Sequence, residues 1–178
     1  MKKRIAIDMD EVMADVMPKF LDIYESEFGK RLAKEEYWGT KVYYREEAQF
    51  LRERLFDKGF FADLPVMPDS QEVIRELQDD YEIFITTAAM EFRASFEDKY
   101  DWLREHFPFI HWRNIVFCGD KSVIRADYMI DDHVFNLKKF TGKGLLFTAS
   151  HNVMENRFTR VNNWGEVRLF FKNEKDKG

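Results

Sequence analysis

Asp8 and Asp10 stand one residue apart at the end of an apolar run, in the order Asp8-Met9-Asp10-Glu11-Val12. Two carboxylates at that spacing can share a hard cation, or divide the work of nucleophile and general acid. Aspartate is also an ordinary helix cap where a strand turns into a helix, so the pair has a plain reading as well. Three further groups follow along the chain. Thr86-Thr87, then Ala88-Ala89, offers hydroxyls and backbone N–H groups able to cradle a phosphate, or merely small residues at a tight corner. Gly119-Asp120-Lys121-Ser122 supplies a point positive charge suited to an anion, or a surface lysine. Asp131-Asp132 sets two like charges side by side, which either a divalent cation or an exposed turn would relieve. The combined inventory is that of magnesium-assisted phosphoryl transfer: oxygen ligands, a nucleophilic carboxylate, a second carboxyl, a hydroxyl and an ammonium.

These groups need a frame that brings them to one place. Short apolar runs at residues 4–9, 81–86, 114–118, 127–130 and 144–148 read as five buried strands, and helical patterns lie between them. Asp69 with Glu72 has the spacing of a capping box for a helix through Leu77. Phe92, Phe96, Tyr100, Leu103 and Phe107 recur at steps of three and four residues, an apolar stripe that predicts the core face of a second helix. The alternation predicts an α/β fold, a Rossmann-like parallel sheet with helices on both faces. Ligands then bind beyond the carboxyl ends of the strands, where each of the four groups falls.

Residues 16–65 break the rhythm, being charged, aromatic and helix-prone without a strand pattern. The stretch is too long for a simple connection. It reads as a small helical cap inserted into a core made of residues 1–15 and 66–178, or alternatively as two surface helices of a single domain.

Composition narrows the classes. Lys and Arg number 28 against 33 Asp and Glu, a net charge of −5, which excludes a nucleic-acid polymer as the main partner. The single cysteine, Cys118, rules out an intrachain disulfide and reads as a small buried hydrophobe. No run is long enough to span a bilayer, and Asp8 and Asp10 cut short the signal-like start Lys2-Lys3-Arg4, so a cytoplasmic location is expected. The charged tail from Lys172 is expected to fray. There is no G-x-x-x-x-G-K-[ST], no H-E-x-x-H and no G-x-S-x-G. His133, beside the acid pair, reads as a supporting residue or a solvated turn residue.

The sequence resembles the haloacid dehalogenase superfamily of phosphatases, and more narrowly the 5′(3′)-deoxyribonucleotidases. The shared stretches are DMDEVMAD (residues 8–15), GFFADL (59–64), FITTA (84–88), KYDWL (99–103) and DKSVIRADYMIDD (120–132). The likeness runs from Arg4 to about Leu137. It implies that Asp8 takes the phosphoryl group as an aspartyl-phosphate, and that Asp10 protonates the leaving alkoxide and then activates water. It further implies Mg2+ held by Asp8, the Asp10 carbonyl and one of Asp131 and Asp132, with Thr87, Ala88 and Lys121 around the phosphate. The implied substrate is a small phosphate monoester, a nucleotide by preference. Such esters demand accelerations of up to ~10²¹, whereas general acid catalysis contributes only about 10²–10⁴. The whole set is therefore needed, and each member is present.

Two positions depart from the family pattern. Glu11 stands where these enzymes commonly carry glycine, adding a carboxylate beside an anion site. Val16 stands where the nucleotidases carry an aromatic that stacks on the base, a contact worth roughly 1–3 kcal/mol. Phe20, Trp38, Tyr43 and Tyr44 in the insert are candidates to replace it, or to form the core of that lobe. The competing readings are a phosphatase for a phosphosugar or another small metabolite, and a non-catalytic binding protein on the same fold. A signalling receiver domain fits poorly, because its paired acids come first in the chain and here they come last.

Overall fold

The computed structural model describes residues 2–176. Six parallel strands form one sheet in the order β3-β2-β1-β4-β5-β6. They are β1 (Lys3–Ile7), β2 (Tyr81–Thr87), β3 (Ile115–Phe117), β4 (Tyr128–Asp131), β5 (Lys143–Phe147) and β6 (Thr159–Val161). The first five answer to the five apolar runs. β1 lies at the centre, and Ile7 pairs with Ile85 on one side and Ile130 on the other. Ile5, Ala6 and Ile7 are completely buried, which is why this strand reads as continuous apolar sequence rather than as an alternation.

Successive side chains still part to opposite faces. Ile5 and Ile7 join the large core cluster, whereas Ala6 joins the smaller one with Met129, Leu137 and Leu146. Helix α6 (Val134–Lys139) covers that smaller face through Leu137, which lies close enough to Gly144 that an added Cβ there would meet Leu137 at 3.1 Å. The larger face takes α4 (Ser70–Leu77), α5 (Ser95–His106) and α7 (Trp164–Lys175). Each fully buried Ile, Leu or Phe side chain here contributes about 1.5–3 kcal/mol.

Between β1 and α4 the chain forms α1 (Met17–Phe28), α2 (Lys34–Tyr37), α3 (Phe50–Arg54) and short 3₁₀ turns. Pro18 in the first turn of α1 pre-sets its start, and Gly29 at φ +64° ends it, returning its N–H to Glu25 O. The two ends of the segment are stapled together. Asp15 N–H donates to Pro65 O at 2.8 Å, and Met67 N–H to Met13 O at 2.7 Å.

Several local expectations are corrected. Asp69 does precede α4, but at φ +64° it makes no side-chain cap bond, and Glu72 pairs with Arg168 of α7 instead. The apolar stripe is core-facing only in part: Leu103 and Phe107 are fully buried and Phe92 packs on the core, but Phe96 is half-buried and Tyr100 exposed, and the buried face of α5 also carries Ser95, Asp98, Lys99 and Trp102. The tail from Lys172 does not fray within the described residues. It continues α7, where Phe171 is buried and Lys175 pairs with Asp80 at 2.8 Å. No helix among the described residues is long and apolar enough to cross a membrane.

Candidate active site

Chain order reverses across the sheet between β1 and β4, the place where parallel α/β sheets open a crevice at their carboxyl ends. Ile7 ends β1, and Asp8 follows with its N–H donated to Ile130 O at 2.9 Å. The following turn is closed by Met13 and Ala14 N–H groups on Met9 O, with Glu11 at φ +61°. Trp164 at the start of α7 braces it, its indole N–H donating to Val12 O at 2.7 Å.

Lys121, far from being a surface lysine, is 1 % exposed. Its Nζ lies 2.5 Å from Asp8 Oδ1 and 2.7 Å from Asp131 Oδ2. Burial pulls its pKa down, but the two carboxylates outweigh that and hold the ammonium above its ordinary value. Asp8 Oδ1 also accepts the Met9 N–H at 2.8 Å. Asp131 is fully engaged, accepting from Lys121, from the His133 N–H at 2.8 Å and from Asn136 Nδ2 at 3.0 Å on both oxygens.

Asp132 differs from its neighbour. It is buried, and its Oδ1 has no hydrogen-bond partner. Burial, then Asp8 and Asp131, push its pKa well above the usual carboxylate value. Oxygens of Asp8, Asp131 and Asp132 lie within 4.8 Å of one another. Such an all-oxygen set, with one oxygen unpartnered and a carboxylate charge opposed by its surroundings, fits a hard divalent cation.

Asp10 Oδ2 is held at 2.5 Å by Lys99 of α5, whose ammonium also donates to Thr87 Oγ1 at 3.2 Å. Asp10 Oδ1 is left without a partner. Thr87 is completely buried, and Ala88 reaches the wall of the cavity.

That cavity, of about 190 Å³, opens above these groups. Asp8, Asp10, Glu11, Lys121 and Asp132 form its polar floor, and Val16, Phe20, Tyr43, Phe61 and Phe92 its apolar wall. Trp38 and Tyr44 are exposed and lie outside it. Burial raises the Glu11 carboxyl to about 8, helped by Asp15 and Asp10. His133 and His151, ring centroids 4.8 Å apart, complete one side near Asp132. Burial first, then Lys41, lowers their pKa to about 4 and about 3, so both rings are neutral at pH 7.

Sequence reasoning missed Lys99, Lys41 and His151 as site residues, whereas His133 takes the supporting place beside the acid pair, the first of the two readings its sequence position allows. Lys99 had a readable signal: it is a polar residue on the helix face that also carries Trp102, within the KYDWL stretch.

The chain matches the family described as "5' nucleotidase, deoxy (Pyrimidine), cytosolic type C protein" over residues 2–175. It is 44% identical over 172 residues to a putative 5′(3′)-deoxyribonucleotidase of Staphylococcus epidermidis, covering 96% of each chain. It is 42% identical over 170 residues to a 5′(3′)-deoxyribonucleotidase of Bacillus subtilis, covering 94% of this chain and 97% of that one. Among solved structures, a haloacid dehalogenase-like hydrolase from Streptococcus pneumoniae superposes with a TM-score of 0.61 at 14% identity, over 96% of this chain and 98% of that one. The putative HAD-hydrolase YfnB of Bacillus subtilis, bound to magnesium, gives 0.60 at 13% identity, over 96% and 99%. The structures speak for the shared architecture, and the sequence matches, which run nearly end to end, speak for closer kinship. The chain belongs to the cytosolic type C 5′-nucleotidase family, phosphoric monoester hydrolases built on the haloacid dehalogenase fold.

Proposed function

We propose that this protein is a Mg2+-dependent phosphomonoesterase that removes phosphate from deoxynucleoside monophosphates through an aspartyl-phosphate on Asp8. The observation that carries the reading is the division of labour between the two aspartates. Asp8 Oδ1 is fixed by Lys121 and the Met9 N–H, which leaves Oδ2 to attack phosphorus. Asp10 is pinned through Oδ2 by Lys99, which leaves Oδ1 to exchange a proton.

In the first step Asp8 Oδ2 bonds to phosphorus, the ester P–O bond breaks, and Asp10 Oδ1 gives its proton to the departing alkoxide. In the second step Asp10 takes a proton from water, the water oxygen bonds to phosphorus, and Asp8 leaves as the free carboxylate. Thr87, the Ala88 backbone and Lys121 steady the phosphate oxygens. Asp8, the Asp10 carbonyl and Asp132 would hold the cation, with Asp131 orienting Lys121 and the turn around it. When bound, Mg2+ neutralises charge on the phosphoryl oxygens.

Residues 16–65 act as the cap, shielding the reaction from water and supplying most of the apolar wall. The resemblance to deoxyribonucleotidases supports a nucleobase as the group against that wall, with Phe20, Tyr43, Phe61 and Phe92 standing in for the stacking ring absent at Val16. The test is phosphate release, with Mg2+, from 5′- and 3′-deoxynucleotides, ribonucleotides and sugar phosphates, with Asp8→Asn as the blank. Preference for deoxynucleotides is expected. Activity confined to sugar phosphates would keep the chemistry and discard the nucleotide, and silence across the panel would discard both.

A further inference from the structure

A phosphate monoester brings up to two negative charges into a cavity already lined by Asp8, Asp10, Glu11 and Asp132. Apart from Lys41, the cations at the site already have part of their charge offset by a carboxylate. Lys121 is shared between Asp8 and Asp131, Lys99 is given to Asp10, and Arg52 is paired with Glu91 at 2.7 Å. Lys41 is different. Its Nζ lies 2.9 Å from His133 Nε2. An imidazole under that contact is an acceptor without negative charge, and no carboxylate among the described residues lies within ion-pair distance of the ammonium. The Tyr43 hydroxyl is a second neutral partner and Asp132 acts on the ammonium only through space, so the cavity wall holds a lysine whose charge no direct ion pair offsets.

The position of Lys41 is built rather than incidental. It precedes the 3₁₀ turn Val42–Tyr44, where Val42 is 1 % exposed and Tyr44 N–H returns to Lys41 O at 2.9 Å. Its neighbours tie the insert to the loop after β5: Gly39 N–H donates to Ser150 O at 2.8 Å, and Ser150 Oγ to Thr40 O at 3.4 Å. The backbone is thus fixed beside the active site, while the lysine stem keeps its rotatable bonds. A compact ammonium on such a stem can exchange a neutral acceptor for an anionic one, and the charged hydrogen bond is the stronger of the two.

We propose that Lys41 is a substrate-binding residue that releases His133 and pairs with a phosphate oxygen from the side of the insert, while Lys121 holds the phosphate from the sheet. The proposal rests on the phosphomonoesterase reading and deepens it, because it makes occupancy of the phosphate site a contact between insert and core. Nothing in the sequence pattern singles out this lysine.

The test uses inorganic phosphate as the probe, titrated by calorimetry into the Mg2+-loaded protein, alongside KM and kcat on the best monoester of the panel. Lys41→Met is expected to weaken phosphate binding about tenfold, the scale of one charge-assisted hydrogen bond. KM should rise by a similar factor while kcat changes much less, and Lys41→Arg should restore most of the affinity. Thermal midpoints of both variants serve as the check on folding, and Lys41→Gln replaces the methionine variant if that one does not fold. If wild type hydrolyses monoesters and the neutral variants bind phosphate as tightly as it does, the role of Lys41 is overturned and the phosphatase reading stands. If affinity falls equally in the arginine variant, the lysine is structural and the proposal is again overturned. If wild type neither binds phosphate nor hydrolyses any monoester, the phosphatase reading falls and takes this inference with it.

Discussion

The Lys99 ammonium lies 2.5 Å from Asp10 Oδ2, joining the middle of α5 to the turn after β1 across 89 residues of sequence. Lys99 is 1 % exposed, and its other contacts are the Thr87 hydroxyl and the face of Phe61, whose ring centre is 4.3 Å away. The bond fixes which oxygen of Asp10 faces the cavity. Lys99→Met is expected to lower kcat by about 10²–10⁴, the range of general acid–base catalysis. KM should change little, and Lys99→Arg should recover only part of the loss because a planar fork does not fit a point-charge site. Unchanged kcat in the methionine variant would remove Asp10 orientation from the mechanism.

Asp8→Asn should abolish turnover while leaving the circular dichroism spectrum of the folded protein intact. The amide keeps the shape and loses the nucleophile. Retained turnover at the wild-type rate would end the aspartyl-phosphate mechanism.

Asp131 and Asp132 should part company on substitution. Asp131 has all its hydrogen bonds within the protein, whereas Asp132 keeps Oδ1 unpartnered. Asp132→Asn is expected to weaken Mg2+ binding at least tenfold with little loss of thermal stability. Asp131→Asn should cost about 3–5 kcal/mol of stability, because it strips a partner from buried Lys121. Denaturant melts together with Mg2+ titrations distinguish the two, and a reversed pattern would exchange their roles. In wild type, EDTA should stop hydrolysis and added Mg2+ restore it.

Glu11 gives a pH signature. Its folded pKa is about 8 against an ordinary 4.5, so between those values the folded protein keeps a proton that the unfolded chain has released. Stability contributed by this group therefore declines as pH rises through that window. In EDTA, Glu11→Gln should match wild type below the window and melt progressively higher than wild type towards pH 8. Glu11→Gly should add about 1–2 kcal/mol below the window by relieving the left-handed backbone at φ +61°, and progressively more towards pH 8 because it removes the same carboxyl. Melting curves that stay parallel across the window would show that the carboxyl ionises freely.

What was legible in the sequence was what is local. The runs at β1 to β5 are apolar because both faces of the sheet are covered, and the acids and Lys121 announce themselves by following those runs. β6 escaped notice because it has only three residues, of which Val161 alone is buried. The stripe on α5 holds at Leu103 and Phe107 and fails at Phe96 and Tyr100 for a related reason. Phenylalanine at helical spacing suggests a core face, yet the α5 face turned inward carries Asp98 and Lys99, one bonding Gly59 N–H at 2.8 Å and the other Asp10. Charged residues that bury themselves by finding partners leave no hydrophobic period. Lys41 and His133 meet across 92 residues of sequence, a distance at which spacing carries no signal.

The indole of Trp164 donating to Val12 O joins the last helix to the first turn. During synthesis, Asp8 and Asp10 leave the ribosome long before the tryptophan that braces their turn. A nascent chain halted short of α7 would carry Asp8 and Asp10 beside a turn that lacks its indole brace. The turn after β1 therefore gains this brace only once the helix that follows β6 has been made.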